Sequence, residues 1–199
     1  SSIPGCTSSA SYVVGAAANG PYNETFSLPN KGYLINQVNN FFGVNWTMSP
    51  WTFDEPPAGI GRDNGDYFNT TAGGKLEGLD TDQEICWISP EINTSGAGTF
   101  LFSVDLSWTQ FDPEDYINVM YSINGGAFTT AANAVGGGTG TIQYAAGVDI
   151  SSSGNISITG LSANKIQIKI CALTNSQGDI FQFDNISIPQ TVSLCFCPP

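Results

Sequence analysis

Between Phe100 and Trp108 every second residue is large and apolar: Phe100, Phe102, Val104, Leu106 and Trp108 share one parity, with Ser103, Asp105 and Ser107 on the other. A repeat of two sorts side chains onto opposite faces of an extended strand; a helix would scatter them around its axis. The pattern returns at Ile117, Val119, Tyr121 and Ile123, and again at Ile166, Ile168 and Ile170, where Gln167, Lys169 and Cys171 take the alternate places. Asn124-Gly125 closes the second of these runs, and a type I′ hairpin turn needs positive φ at both of its central residues. The 23 glycines and 11 prolines are spread along the whole chain, and few windows hold apolar residues at helical spacing. Each strand buries one face and wets the other, which predicts an all-β fold, a two-sheet antiparallel β-sandwich.

Charge and composition remove several function classes. Seventeen acids stand against five bases, a net charge of −12, and such a field repels phosphate, so no nucleic-acid partner is expected. The chain has no histidine. That excludes Ser-His-Asp and Cys-His catalysis, His-ligated zinc and haem, and most general-base chemistry near neutral pH. No stretch of 18 apolar residues occurs, so no membrane insertion is expected. The first residues lack a basic segment ahead of an apolar run and read as a mature end or a cut from a larger chain.

The acids are grouped. Glu77, Asp80, Asp82 and Glu84 fall within one short segment beside a single base, Lys75. In an extended chain Asp80, Asp82 and Glu84 would share a face and repel one another. Either they splay into solvent, or a hard cation such as Ca²⁺ relieves them through oxygen ligation. The segment is no EF-hand, because the sixth position from Asp80 is Ile85 rather than glycine. Glu24 shares parity with Phe26 and Leu28, at the edge of an apolar face, where a carboxylate needs a partner. Near the end the apolar phase switches between Phe181 and Phe183 and Ile186 and Ile188, which predicts a β-bulge at Asp184-Asn185. First and last strands of sandwiches often pair, which would bring Glu24 near Asp184. No residue is assigned a catalytic role: Glu77 and Glu84 offer the one acid pair worth testing as a glycosidase couple, and their spacing does not match the strand-borne Glu-x-Asp-x-x-Glu set of jelly-roll glucanases.

Trp46 and Trp51 flank Pro50 in a stretch (43–75) that reads as loop, where indoles either stack on sugar rings or plug the open end of the sandwich. Trp87 and Trp108 read as core. Of the five cysteines, Cys6 and the Cys195/Cys197 pair lie near opposite termini, so one disulfide between them would tie the ends together in an oxidising compartment, and the odd count leaves a thiol over. Six Asn-x-Ser/Thr triplets begin at Asn23, Asn45, Asn69, Asn93, Asn155 and Asn185; they read either as the by-product of a chain rich in Asn, Ser and Thr or, in a eukaryotic secretory route, as glycosylation acceptors.

One series of segments carries a resemblance: Gly65-Asp66-Tyr67-Phe68, Lys75 through Trp87, Ile88-Ser89-Pro90-Glu91-Ile92, Glu114 through Val119, Tyr121 through Gly126, and Phe183-Asp184-Asn185-Ile186. Their order resembles the jelly-roll modules of secreted and cell-surface proteins of Bacteroidota, which look like cleaved-adhesin, MAM-type and carbohydrate-binding modules. The resemblance implies a jelly-roll sandwich over residues 24–188, with an N-terminal extension (1–23) and a C-terminal tail (189–199). It also implies a structural Ca²⁺ near the first and last strands, mapping onto Glu24 and Asp184. The expected function is a non-catalytic, secreted or cell-surface module for adhesion or surface binding, with an extracellular glycan or surface protein as partner. The alternatives are an assembly subunit that binds copies of itself through terminal strands and, behind it, a polysaccharide-active enzyme.

Overall fold

The computed structural model describes residues 22–28, 32–33, 51–54, 66–131, 141–142 and 150–189. Among them there is no helix, and fourteen strands succeed one another in chain order: β1 (Tyr22–Glu24), β2 (Gly32–Tyr33), β3 (Thr52–Asp54), β4 (Tyr67–Thr70), β5 (Leu76–Leu79), β6 (Ile85–Ile88), β7 (Ile92–Asn93), β8 (Phe100–Phe111), β9 (Tyr116–Ile123), β10 (Thr129–Thr130), β11 (Thr141–Ile142), β12 (Ile150–Leu161), β13 (Lys165–Leu173) and β14 (Ile180–Ile188). Two antiparallel sheets result. Sheet I has the order β12-β8-β14-β5-β4-β2, with β1 also on β14; sheet II has the order β10-β9-β13-β6-β3, with β11 on β9 and β7 on β13. The chain passes back and forth between the sheets, as a sandwich of jelly-roll type requires.

The alternation of period two becomes burial. Phe100, Phe102, Val104, Leu106 and Trp108 are all buried on β8, and Ile166, Ile168 and Ile170 do the same on β13 from the opposite sheet. Asn124 and Gly125 take φ of 53° and 74°, the type I′ turn that closes β9 at its C-terminal end. The ladder between β14 and β8 slips between Asp184 and Ser187, and Asn185 sits at φ 51°, so the apolar phase switch is a β-bulge at the expected place. It lets Phe181 and Phe183 before it, and Ile186 and Ile188 after it, all point inward.

Two expectations need correction. The stretch 43–75 is not all loop, because β3 and β4 lie within it and extend sheets II and I respectively. Trp51 is not an exposed indole: it is 5% exposed and packs edge-on against Phe26 and Phe53, with Trp87 6.0 Å away. The adjoining β3 pairs with β6, and this pairing draws Trp51 into an aromatic core of Phe26, Phe68, Trp87, Phe181 and Phe183. Trp46, Cys6, Cys195 and Cys197 lie outside the described residues, as does nearly all of both terminal segments.

Candidate functional site

The wet parity of β8 is where polar chemistry collects. Strand register aligns Ser153, Ser107, Gln182, Glu77 and Asn69 in one row across β12, β8, β14, β5 and β4. Their neighbours Leu106, Phe183 and Leu76 are buried in the core, so this row stands on the outer face of sheet I. Beside it Asn155, Asp105 and Asp184 form a second aligned row. A groove of about 510 Å³ takes in Ser153, Ser107 and Gln182 of the first row and all of the second, and is lined by Lys75 as well.

Hydrogen bonds lock these side chains together. Gln182 is the hub: its Oε1 accepts from Lys75 Nζ at 2.8 Å and from Ser107 Oγ at 2.9 Å, while its Nε2 donates to Glu77 Oε2. The other Glu77 oxygen accepts from the Tyr67 hydroxyl at 2.5 Å. Asp105 takes one amide from each side, Asn155 Nδ2 at 2.8 Å and Asn185 Nδ2 at 3.0 Å. Sequence reasoning set Ser103, Asp105 and Ser107 on the polar parity of β8 without reading a site there; the signal lay in that parity, and the register that adds Gln182, Glu77 and Asn155 did not exist in one dimension.

Glu24 and Asp184 do come together. β1 pairs with β14 so that Glu24 faces Ile186, two residues past Asp184. Burial raises the Glu24 pKa above the usual carboxylate range, and the charge of Asp184 raises it further, against hydrogen bonds from the Phe26 and Thr25 backbone. Asp184 is raised as well, chiefly by burial, with Asp105 adding to the shift and Lys75 opposing it. The Phe26 N–H donates to Glu24 Oε1 at 2.8 Å and the Asn185 N–H to Asp184 Oδ1 at 2.7 Å. The chain does not stay extended past Glu24: Phe26 turns at φ 47°, which buries its ring and leaves Leu28 exposed, so the expected shared parity ends there.

Asp80, Asp82 and Glu84 do not share a face. The segment carries the chain from β5 in sheet I to β6 in sheet II, and Asp80 and Asp82 turn at φ 45° and 54° to make that crossing. Asp80 is buried, while Asp82 and Glu84 are exposed. Among the described residues no three carboxylates bring an oxygen each within 4.8 Å; the only such group of potential ligands is Glu84 with Cys86 and Cys171, and those two cysteines are bonded to each other. Glu77 stands on sheet I and Glu84 leads into sheet II. With the core between the two sheets, they cannot flank one glycosidic bond.

No family model matches the sequence, and no curated protein does either. Among solved structures the chain is similar to the K3 cleaved adhesin domain of Lys-gingipain from Porphyromonas gingivalis, at 10% identity and a TM-score of 0.50 over 85% of this chain and 98% of that one. It is also similar to a CBM4 structure, at 14% identity and a TM-score of 0.45 over 84% and 97%. A third is TmCBM61 in complex with β-1,4-galactotriose, at 14% identity and 0.39 over 72% and 90%. At such identities the likeness to the adhesin domain is one of fold: the two-sheet antiparallel sandwich.

Proposed function

We propose that the chain is a non-catalytic extracellular binding module that holds a glycan in the groove on the outer face of sheet I. The observation that carries this reading is the pair of register-aligned polar rows centred on Gln182 and Asp105. A sugar offers hydroxyls in two dimensions, and side chains fixed by their neighbours meet them without first losing rotamer freedom. Asp105, Gln182, Ser107 and Asn155 supply both acceptors and donors. The Cys86–Cys171 disulfide suits an oxidising compartment and supports a secreted or cell-surface location.

Calcium belongs to the same reading as a structural ion held by Glu24 and Asp184. Burial raises the cost of ionising both carboxylates, and the charge of Asp184 adds to it at Glu24 as that of Asp105 does at Asp184; Lys75 offsets part of the cost at Asp184, and the ion pairs among the described residues, Lys165–Glu91 and Lys169–Asp54, serve neither. A hard cation bound through their oxygens relieves that cost.

The test is affinity electrophoresis through gels containing neutral, amino and anionic polysaccharides in turn, with reducing-end release measured on the same panel. Retardation by at least one glycan, lost in Asp105→Ala and unaccompanied by product, is the expected result. Mobility unchanged throughout the panel overturns the glycan reading, and product release that Asp105→Ala or Glu77→Gln removes overturns the non-catalytic one.

A further inference from the structure

Cys86 and Cys171 face one another on β6 and β13 and form a disulfide. The pairs on either side, Ile85 with Ala172 and Trp87 with Ile170, are buried in the core. By the alternation of a strand the cysteines therefore point to the outer face of sheet II, in an aligned row Asp54, Cys86, Cys171, Asn118, where both are buried and Glu84 is the exposed member of the group. Glu84 reaches over the same spot: its Oε1 lies 3.8 Å from Cys86 Sγ, and one carboxylate oxygen and both sulfurs are within 4.8 Å of one another. The second oxygen of Glu84 accepts from the Tyr116 hydroxyl at 2.7 Å, which fixes how the carboxylate is aimed. A sulfur within a disulfide has neither a proton to donate to this carboxylate nor a charge to attract it. Two thiolates there would give the oxygen a task.

We propose that reduction of the Cys86–Cys171 bond opens a site for a thiophilic divalent cation of the zinc class, bound by the two thiolates and the Glu84 carboxylate. In the first step a dithiol reductant is oxidised to its own disulfide, two electrons pass to the Cys86–Cys171 bond, and two thiols form with the reductant's two protons. In the second step the metal binds both sulfurs and displaces those two protons to solvent. Three protein ligands leave the fourth tetrahedral position to water. The strands do not need the covalent bond to stay in place: β13 is paired with β6 over Ile85–Ile88 and with β9 from Ile166 to Leu173, with Cys171 also opposite Asn118. Bound metal and disulfide exclude each other because they use the same two sulfurs. Metal thus guards the thiols against oxidation, and oxidation expels the metal. Tyr116 is a positioning residue in this site, acting through Glu84.

Reduced full-length protein is desalted without oxygen and titrated with Cd²⁺, whose thiolate complexes absorb in the ultraviolet by charge transfer, and then with Zn²⁺ in competition. The chain carrying Cys6→Ser, Cys195→Ser and Cys197→Ser isolates this pair; the difference between the wild type and Cys171→Ser gives the same answer should that triple variant not fold. The reduced protein is expected to take up one equivalent, and the oxidised protein none. Tyr116→Phe weakens binding by about tenfold, Glu84→Gln weakens it more, and Zn²⁺ slows re-formation of the disulfide by oxidised glutathione. Three results overturn the proposal: equal uptake by the oxidised protein, no charge-transfer band in a reduced protein that keeps its β-sheet circular dichroism, or loss of that spectrum on reduction. Undiminished affinity in Glu84→Gln overturns it as well.

Discussion

The ring of Phe181 fills the space in which a side chain on Gly78 would begin: a Cβ at Gly78 would lie 2.2 Å from Phe181 Cζ and 2.4 Å from Cε1. The two residues face each other across β5 and β14, and the next pair along the same ladder is Glu77 with Gln182. Packing inside the sandwich thus sets the register of the polar row outside it. A methyl at Gly78 must push back a fully buried ring among Phe68 and Phe183. Gly78→Ala is expected to cost about 1–3 kcal/mol of stability, the range for overpacking a filled core. Urea unfolding measures it, and combining the change with Phe181→Leu should return part of the loss, because the two substitutions act on one contact. Simple additivity of the two would show that the ring is not what resists.

The calcium reading makes a prediction about melting. An ion that binds only the folded chain stabilises it by RT ln(1 + [L]/Kd), about 2.7 kcal/mol at a hundredfold excess over Kd. Chelator should lower Tm, resupplied Ca²⁺ should restore it, and Glu24→Gln should shrink the difference between the two states. A Tm indifferent to chelator, in protein shown metal-free by elemental analysis, removes calcium from the account.

Two substitutions separate the groove from the core. Gln182→Ala takes away a side chain on the outer face that three neighbours touch, so glycan affinity should fall by about tenfold, the worth of one hydrogen-bonding group, with little change in Tm. Trp51→Ala empties a buried aromatic site and should cost about 3–5 kcal/mol, leaving affinity per folded molecule as it was. Isothermal titration beside thermal melting reads both effects. A Trp51→Ala chain that stays stable but loses its glycan would restore the indole as a sugar platform.

The sandwich was legible because its information is local. The alternation at 100–108, the Asn124-Gly125 turn and the phase switch at Asp184-Asn185 each state a backbone conformation within a few residues, and all three are found where expected. The proximity of Glu24 and Asp184 came from one further rule about terminal strands. What was not legible depends on which strands become neighbours. Cys86 and Cys171 are 85 residues apart and are joined because β6 lies beside β13. The row through Gln182 needs five strands in register, and the fate of Trp51 was decided by β3 joining sheet II at β6. The acidic segment left two readings open for a related reason: its charges share a face only if the chain is straight, and the crossing between sheets turns it twice.

Asp115 supplies a prediction about pH. It is wholly buried in the turn between β8 and β9, where its Oδ2 accepts from the Asp112 N–H at 2.6 Å. Burial pushes its carboxyl above the usual range. The charges of Asp112 and Glu114 add to that shift, while hydrogen bonds from the Asp112 and Asn175 backbone oppose it. A folded-state pKa raised above the unfolded value means that the native protein holds this proton more tightly than the unfolded chain. The contribution to stability is therefore fully present below the unfolded carboxyl pKa of about 4, and it is lost as pH rises through the higher folded value. Asp115→Asn keeps an oxygen for the Asp112 N–H and carries no charge to bury. Relative to the wild type, this variant should gain stability as pH climbs from about 4 through the raised folded value and level off above it, and the two should differ least at the acid end. Urea unfolding of both chains at a series of pH values gives the comparison. Profiles that run parallel over the whole range would mean that Asp115 titrates like an exposed carboxyl and that the buried turn places no penalty on its charge.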